Sequence, residues 1–183
     1  MIFEPTPIAG AFVIKLDPRT DERGSFARSY CQREFTAQGI DFSVVQCNLA
    51  QTRERGSVRG LHYVELPAIE PKLVRCIAGE VLDVIIDMRE DSPTRHRVFQ
   101  IILNPANRHS LFVPTGVAHG YQTQADETEF FYMAGEFYTP GLEKGVRFDD
   151  PALGIRWPIE PRNVADRDRR WPLIGSTSNG TNQ

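Results

Sequence analysis

The chain has 183 residues, is 40% hydrophobic and 25% charged, and carries a formal net charge of −3. That length suits one domain, expected over residues 1–174, and leaves a polar tail, 175–183, with too little apolar content to order itself. The weakly acidic balance gives no general attraction for nucleic acid or an anionic membrane, so an anionic ligand must be met by locally placed Lys and Arg.

The start, MIFEPTPIAG, has an early Glu4, two prolines and no basic region, unlike a signal peptide, and no apolar run reaches the roughly 20 residues of a membrane helix. Cys31, Cys47 and Cys76 form no CxxC pair and lie in strand-like runs, as expected of buried thiols in a reducing compartment, the cytoplasm. Along the chain, strands are expected at 11–16, 43–50, 72–77, 80–88, 98–104, 110–114, 118–123 and 129–138, each a short run of β-branched, leucine or aromatic residues closed by Gly, Pro, Asn or Asp. Only SYCQREFTAQG, 29–39, has helical spacing, with Tyr30, Phe35 and Ala37 on one side and Gly39 as a stop. Many short strands with few helices predict an all-β antiparallel sandwich or barrel. In EVLDVIID, Val81, Asp83, Ile85 and Asp87 share one face and Leu82, Val84 and Ile86 the other. If the first face points inward, Asp83 needs a hydrogen-bonding partner.

Two segments carry chemistry. In SVRGLHYVELPAIEPKLVRC, 57–76, His62 could hold a metal, transfer a proton or fill space. In VPTGVAHGYQT, Pro114-x-Gly116-x-x-His119 resembles the second motif of the cupins, small jelly-roll barrels. A metal-dependent cupin also supplies HxH and a glutamate earlier in the chain. Here the corresponding stretch is Gly60-Leu61-His62-Tyr63-Val64-Glu65, with Val64 where the second histidine would stand. The residues therefore argue against a metal and toward proton transfer.

Arg59-Gly60-Leu61-His62-Tyr63, Lys72-Leu73-Val74, Gly79, Asp83-Val84, Asp87, Arg89, Ser92-Pro93-Thr94 and Pro114-x-Gly116-x-Ala118-His119-Gly120 closely resemble the dTDP-4-dehydrorhamnose 3,5-epimerase family. Asp21-x-Arg23-Gly24-x-Phe26, Gln46-x-Asn48, Tyr132, Tyr138-x-Pro140, Asp150-Pro151, Ile155-x-Trp157-Pro158 and Asp168 extend the resemblance over about residues 5–172. It implies a cupin-like jelly roll with a few short helices, a homodimer whose N-terminal strands around AFVIKL add to a partner's sheet, and an epimerase of a nucleotide-diphosphate 4-keto-6-deoxysugar needing no metal or cofactor.

By the same resemblance His62 is the base and Asp168 the carboxylate that orients it. Lys72 faces the developing enolate oxygen, and Tyr132 returns a proton from the opposite face. An unperturbed imidazole pKa of about 6.5 suits proton abstraction at neutral pH. Arg59 and Arg23 are implied for the diphosphate, Gln46 and Asn48 for phosphate or ribose, Phe26 and Tyr138 for the base ring, and His119, supported by Asp83, for the sugar. His96 and His109 stand in polar loops and are expected at the surface. Arg28, Val64, Met133 and Ala165 depart from the family pattern without removing a catalytic group. Two other functions stay open: a narrower nucleotide-sugar enzyme such as a mono-epimerase or ketoisomerase, and a non-catalytic sugar-binding jelly roll.

Overall fold

The computed structural model describes residues 1–175. The expected tail lies, from residue 176 onward, outside the described residues. The elements run β1 (Ile2–Pro5), β2 (Phe12–Lys15), β3 (Arg19–Asp21), β4 (Gly24–Phe26), α1 (Gln32–Ala37), β5 (Gln46–Thr52), β6 (Val58–Val64) and β7 (Lys72–Ala78). They continue with β8 (Val81–Asp87), β9 (Val98–Leu103), β10 (Ser110–Val113), β11 (Val117–Thr123), β12 (Thr128–Ala134), β13 (Glu143–Gly145) and α2 (Asp166–Arg169).

The strands form a six-stranded sheet in the order β1-β2-β10-β7-β12-β5 and a five-stranded sheet in the order β13-β6-β11-β8-β9, with β3 and β4 forming a separate hairpin. The paired strands of both sheets run antiparallel. From β5 to β13 the chain changes sheet at every connection except β8 to β9. This is the all-β jelly roll expected from the pattern of short strands, and it interleaves distant segments in each sheet.

Three layers of side chains hold it. Between the sheets, Val13, Val74, Val81, Ile85, Leu111, Val113, Tyr121 and Phe130 form the interior cluster. Outside the five-stranded sheet, Leu61, Leu82, Val84 and Ile86 pack under Val146, Leu153, Ile155 and Trp157 of the C-terminal segment. Outside the six-stranded sheet, Ile14, Leu73 and Phe112 meet Phe35, Ile40 and Phe42 from the α1 region. Strand β8 is thus buried on both faces over all seven residues, each buried Val, Leu or Ile side chain contributing about 1.5–3 kcal/mol.

Several expectations change in detail. β12 stops at Ala134, because the Gly135 N–H turns away to the Pro71 carbonyl at 2.9 Å and carries the chain out of the sheet. Phe137 and Tyr138 therefore lie in an exposed loop, not in a strand. α1 buries only Phe35. Tyr30 precedes it and donates its hydroxyl to the Phe42 carbonyl at 2.7 Å, while Ala37 is exposed. Of the three thiols only Cys76 is buried, and Cys47 is exposed on β5. β2, within AFVIKL, pairs with β1 on one side and β10 on the other, all in the same chain. Its hydrogen bonds complete this sheet and leave it no free edge for a partner.

The β6–β11 pair carries a bulge. His119 lies opposite His62 and Tyr121 opposite Arg59, so Gly60 and Leu61 together face the single residue Gly120. Gly60 has φ +98, a region that disfavours side chains, and a Cβ on Gly120 would lie 2.5 Å from the Arg59 carbonyl oxygen. Gly120→Ala is expected to destabilise the fold by about 1–3 kcal/mol through overpacking. Urea denaturation followed by circular dichroism measures this, and an unchanged midpoint would contradict the close approach.

Candidate active site

The bulge decides what faces inward. On a regular strand, residues three apart point to opposite faces. The extra residue at Gly60-Leu61 brings Arg59 and His62 to the same cavity and sends Leu61 to the outer cluster. The cavity, about 950 Å³, opens between the sheets and is lined by Arg59, His62 and His119 from one wall and Lys72, Phe130 and Tyr132 from the other.

His62 is held by Asp168. The carboxylate accepts Nε2–H at 2.6 Å through Oδ1 and the Gly60 N–H at 3.2 Å through Oδ2. A carboxylate acceptor on Nε2 places the proton there and leaves Nδ1 as the variable nitrogen. Asp168 is only 3% exposed although it lies in DRDRR, where a solvated turn is the ordinary expectation. Instead those residues form the single turn α2, with Asp168 its buried member. Burial of His62 disfavours the imidazolium, but the Asp168 and Glu143 carboxylates outweigh it and raise the pKa above the ordinary histidine value. Burial likewise opposes ionisation of Asp168, yet bonding to His62 and the Gly60 N–H brings its pKa below the usual carboxylate range.

Lys72 opens β7, and its ammonium pairs with Glu70 at 2.9 Å. Tyr132 comes from β12, and its pKa is raised by burial first and then by the charges of Glu70 and Glu143, which keeps the phenol protonated at neutral pH. His119 binds Asp83 through Nε2 at 2.9 Å and stacks on Phe130 with ring centroids 5.8 Å apart. Asp83 does face inward, fully buried.

The other predicted residues divide. Arg59 lines the cavity, anchored by Nε donating to Thr52 Oγ1 at 2.9 Å. Tyr138 stands at the rim. Gln46 and Asn48 sit on β5, bonded to each other at 3.0 Å, with Asn48 opposite Tyr132 in register, but neither lines the cavity. Arg23 and Phe26 are not brought to it either: they lie on the β3–β4 hairpin, Phe26 76% exposed and Arg23 paired with its neighbour Asp21. Sequence reasoning missed Glu70, Glu143 and Arg167. Glu143 Oε1 lies 3.2 Å from His62 Nδ1, and its Oε2 pairs with Arg167 at 2.8 Å. In TPGLEKG and DRDRR these resemble solvated charges, and only the β13–β6 pairing and the α2 turn bring them to the histidine. His96 is exposed, as expected, and His109 is partly buried. Among the described residues no cluster of three or more His, Cys, Asp or Glu is arranged to hold a metal. No described helix is long and apolar enough to cross a membrane.

A cupin-type jelly roll with titratable groups on facing walls of a ligand-sized cavity has the build of an enzyme barrel suited to proton transfer. A sequence profile of dTDP-4-dehydrorhamnose 3,5-epimerase matches residues 5–176, and the chain belongs to that family. The dTDP-4-dehydrorhamnose 3,5-epimerase of Shigella flexneri is 38% identical over 159 residues, covering 85% of this chain and 87% of that protein. The dTDP-4-dehydrorhamnose 3,5-epimerase of Bacillus anthracis, solved with TDP and pyrophosphate bound, superposes with a TM-score of 0.89 at 34% identity, covering 94% of this chain and 98% of that one. A 3'-monoepimerase from Streptomyces bikiniensis, solved with dTDP-quinovose, gives a TM-score of 0.85 at 33% identity over 93% of this chain and 86% of that one.

The His62–Asp168 pair predicts a pH-dependent stability. The raised His62 pKa contributes stability that is full below about 6.5 and is lost as pH rises through the folded value. The lowered Asp168 pKa contributes stability present above about 3.9 and lost as pH falls through its folded value. Asp168→Asn should cost about 1–3 kcal/mol near pH 6 by leaving His62 and the Gly60 N–H poorly paired. The gap from wild type should narrow toward about pH 9, as His62 loses its proton. Denaturant titrations at the two pH values measure it, and a gap that widens would reverse the assigned sign.

Proposed function

We propose that the enzyme epimerises a dTDP-linked 4-keto-6-deoxysugar, converting dTDP-4-dehydro-6-deoxyglucose to dTDP-4-dehydrorhamnose by way of an enolate. The observation that carries this reading is His62, oriented by Asp168 on one wall, facing Lys72 and Tyr132 on the other.

A C4 ketone acidifies the hydrogens at C3 and C5, since the carbanion left behind delocalises onto oxygen. His62 takes the proton at Nδ1, the nitrogen Asp168 leaves free for chemistry. Lys72 donates to the oxygen that becomes negative, where one well-placed donor is worth about 3 kcal/mol. Tyr132 delivers a proton to the other face and so inverts the centre. A phenol with a raised pKa is a donor throughout the neutral range. Arg59, tied from β6 to Thr52 of β5, suits a diphosphate oxygen, and His119, steadied by Asp83, suits the sugar.

Arg23 and Phe26 fit the nucleotide roles if the β3–β4 hairpin of one protomer reaches a partner's cavity. Its exposure supports this, as does the free edge of β5 beside Gln46 and Asn48. The working form is then a homodimer with exchange of this N-terminal hairpin. Sedimentation velocity should give twice the monomer mass, and Arg23→Ala should raise KM for the nucleotide sugar more than it lowers kcat. A fully active, concentration-independent monomer would remove the dimer from the mechanism.

Inversion at C3 alone is a second reading, favoured by the likeness to the 3'-monoepimerase. One experiment addresses both: proton NMR of dTDP-4-keto-6-deoxyglucose in deuterated water, following exchange and epimer formation at each carbon. His62→Asn should abolish exchange wherever the wild type shows it, a loss of about a hundredfold or more. Tyr132→Phe should allow exchange with retention, because the carbanion still forms and is reprotonated from the histidine's side. Near wild-type exchange by a folded His62→Asn protein would refute His62 as the base. Full-rate inversion by Tyr132→Phe would refute Tyr132 as the acid.

A further inference from the structure

His62 has a carboxylate on each side of its ring. Asp168 is committed: one oxygen takes Nε2–H and the other the Gly60 N–H. Glu143 is differently placed. Antiparallel pairing sets Gly145 opposite His62, so Glu143, two residues before it, shares that face and reaches Nδ1 diagonally. Its Oε1 stands 3.2 Å from Nδ1 and its Oε2 is 2.8 Å from Arg167. The Arg167 guanidinium, through Nη2, stands 3.5 Å from the same Nδ1.

Nδ1 therefore faces an anion and a cation at once. The anion favours a protonated ring. The cation favours a bare lone pair, which it can meet as a donor. The other ionisable groups around the histidine include Arg59 on its own strand, Lys72 and Glu70 from the facing sheet, paired with each other, Tyr132 on β12, and His119, opposite His62 in register and bound to Asp83. Glu143 alone among these carboxylates stands at the nitrogen that must react.

We infer that Glu143 is a positioning residue for His62: in the empty cavity it holds Nδ1 in its protonated form, and a sugar bound between them displaces it, so that substrate binding itself sets the base free. This rests on His62 being the base. The step balances as a simple ionisation. The Nδ1–H bond breaks, the electron pair stays on nitrogen, the proton leaves to solvent, and Glu143 remains an anion paired with Arg167. The raised His62 pKa is what two carboxylates would produce.

The inference separates two ligands. A dTDP sugar fills the space next to His62, whereas dTDP alone does not. Calorimetric titration near neutral pH, in buffers of different ionisation enthalpy, counts protons exchanged on binding. Binding of dTDP-glucose, which has no ketone and does not react, should release protons from wild type. Binding of dTDP should release only what its own terminal phosphate gives up, pKa about 6, the same in wild type and Glu143→Gln, whereas the dTDP-glucose release should vanish in Glu143→Gln. No release with dTDP-glucose, or a release unchanged in Glu143→Gln, overturns the proposal.

Titration of the free protein by carbon-13 NMR of labelled histidine provides a second readout, with His62 assigned among the four histidines by loss of its signal in His62→Asn. Glu143→Gln should move the His62 midpoint down. Arg167→Gln, which removes the neighbouring cation, should hold it or move it up. A merely loosened site would shift both variants the same way, and that result, or an unmoved midpoint in Glu143→Gln, refutes the role. If wild type binds neither dTDP nor dTDP-glucose, the proposed function fails, while the NMR titration still decides whether Glu143 holds His62.

Discussion

The Asp168 carboxylate joins two parts of the chain that share nothing in sequence. Its two oxygens take one backbone N–H at the bulge in β6 and one imidazole N–H two residues later. Buried polar groups must be paired or they cost free energy, and here a single side chain satisfies two donors and its own charge. The consequence reaches across the fold. The chain after β13 has to run over the outer face of the five-stranded sheet, packing Leu153, Ile155 and Trp157 there, before α2 can present Asp168 to β6. The outer layer of the sandwich is thus also the arm that orients the histidine.

The bulge is the complementary constraint. Without it Arg59 and His62 would face opposite sides of β6, one in the cavity and one in an apolar layer. With it both line the cavity, and Leu61 takes the buried outer position. Gly60 and Gly120 fit this because neither has a side chain where the two strands approach most closely. The motif Arg-Gly-Leu-His is thereby a geometric statement as much as a chemical one. It sets a guanidinium and an imidazole on the same wall at a spacing no regular strand allows.

How much of this was legible in the sequence follows from what each residue's signal depends on. β7 to β11 show as β-branched and leucine-rich runs because their side chains pack against the core clusters. β1, β3 and β4, in contrast, expose most or all of their residues and carry no apolar alternation. α2 reads as a charged turn because only Asp168 in it is buried. His62, Lys72, Tyr132 and Asp168 were found through family resemblance, and the structure collects them around one cavity. Glu143 and Arg167 were not found, since their relation to His62 exists only after β13 pairs with β6 and α2 folds over it. Arg23 and Phe26 mark the opposite case. Their chemistry was legible, but a single chain leaves them on an exposed hairpin.

The cavity holds two histidine–carboxylate pairs, and they differ in how the carboxylate is anchored. Asp83 belongs to β8, the strand beside His119, and is fully buried with Tyr121 opposite it in register. Moving it would mean shifting a central strand packed on both faces, so His119 is a fixed hydrogen-bonding group. His62 sits on β6, between β11 and the three-residue strand β13, and takes its partners from α2 and from Glu143 of β13. The side chains of Glu143 and Arg167 are 23% and 56% exposed, against none for Asp83, so solvent reaches the carboxylate partner of His62 but not that of His119. Of the two histidines, His62 is therefore the one with a movable carboxylate partner, which is what the proposed displacement of Glu143 requires.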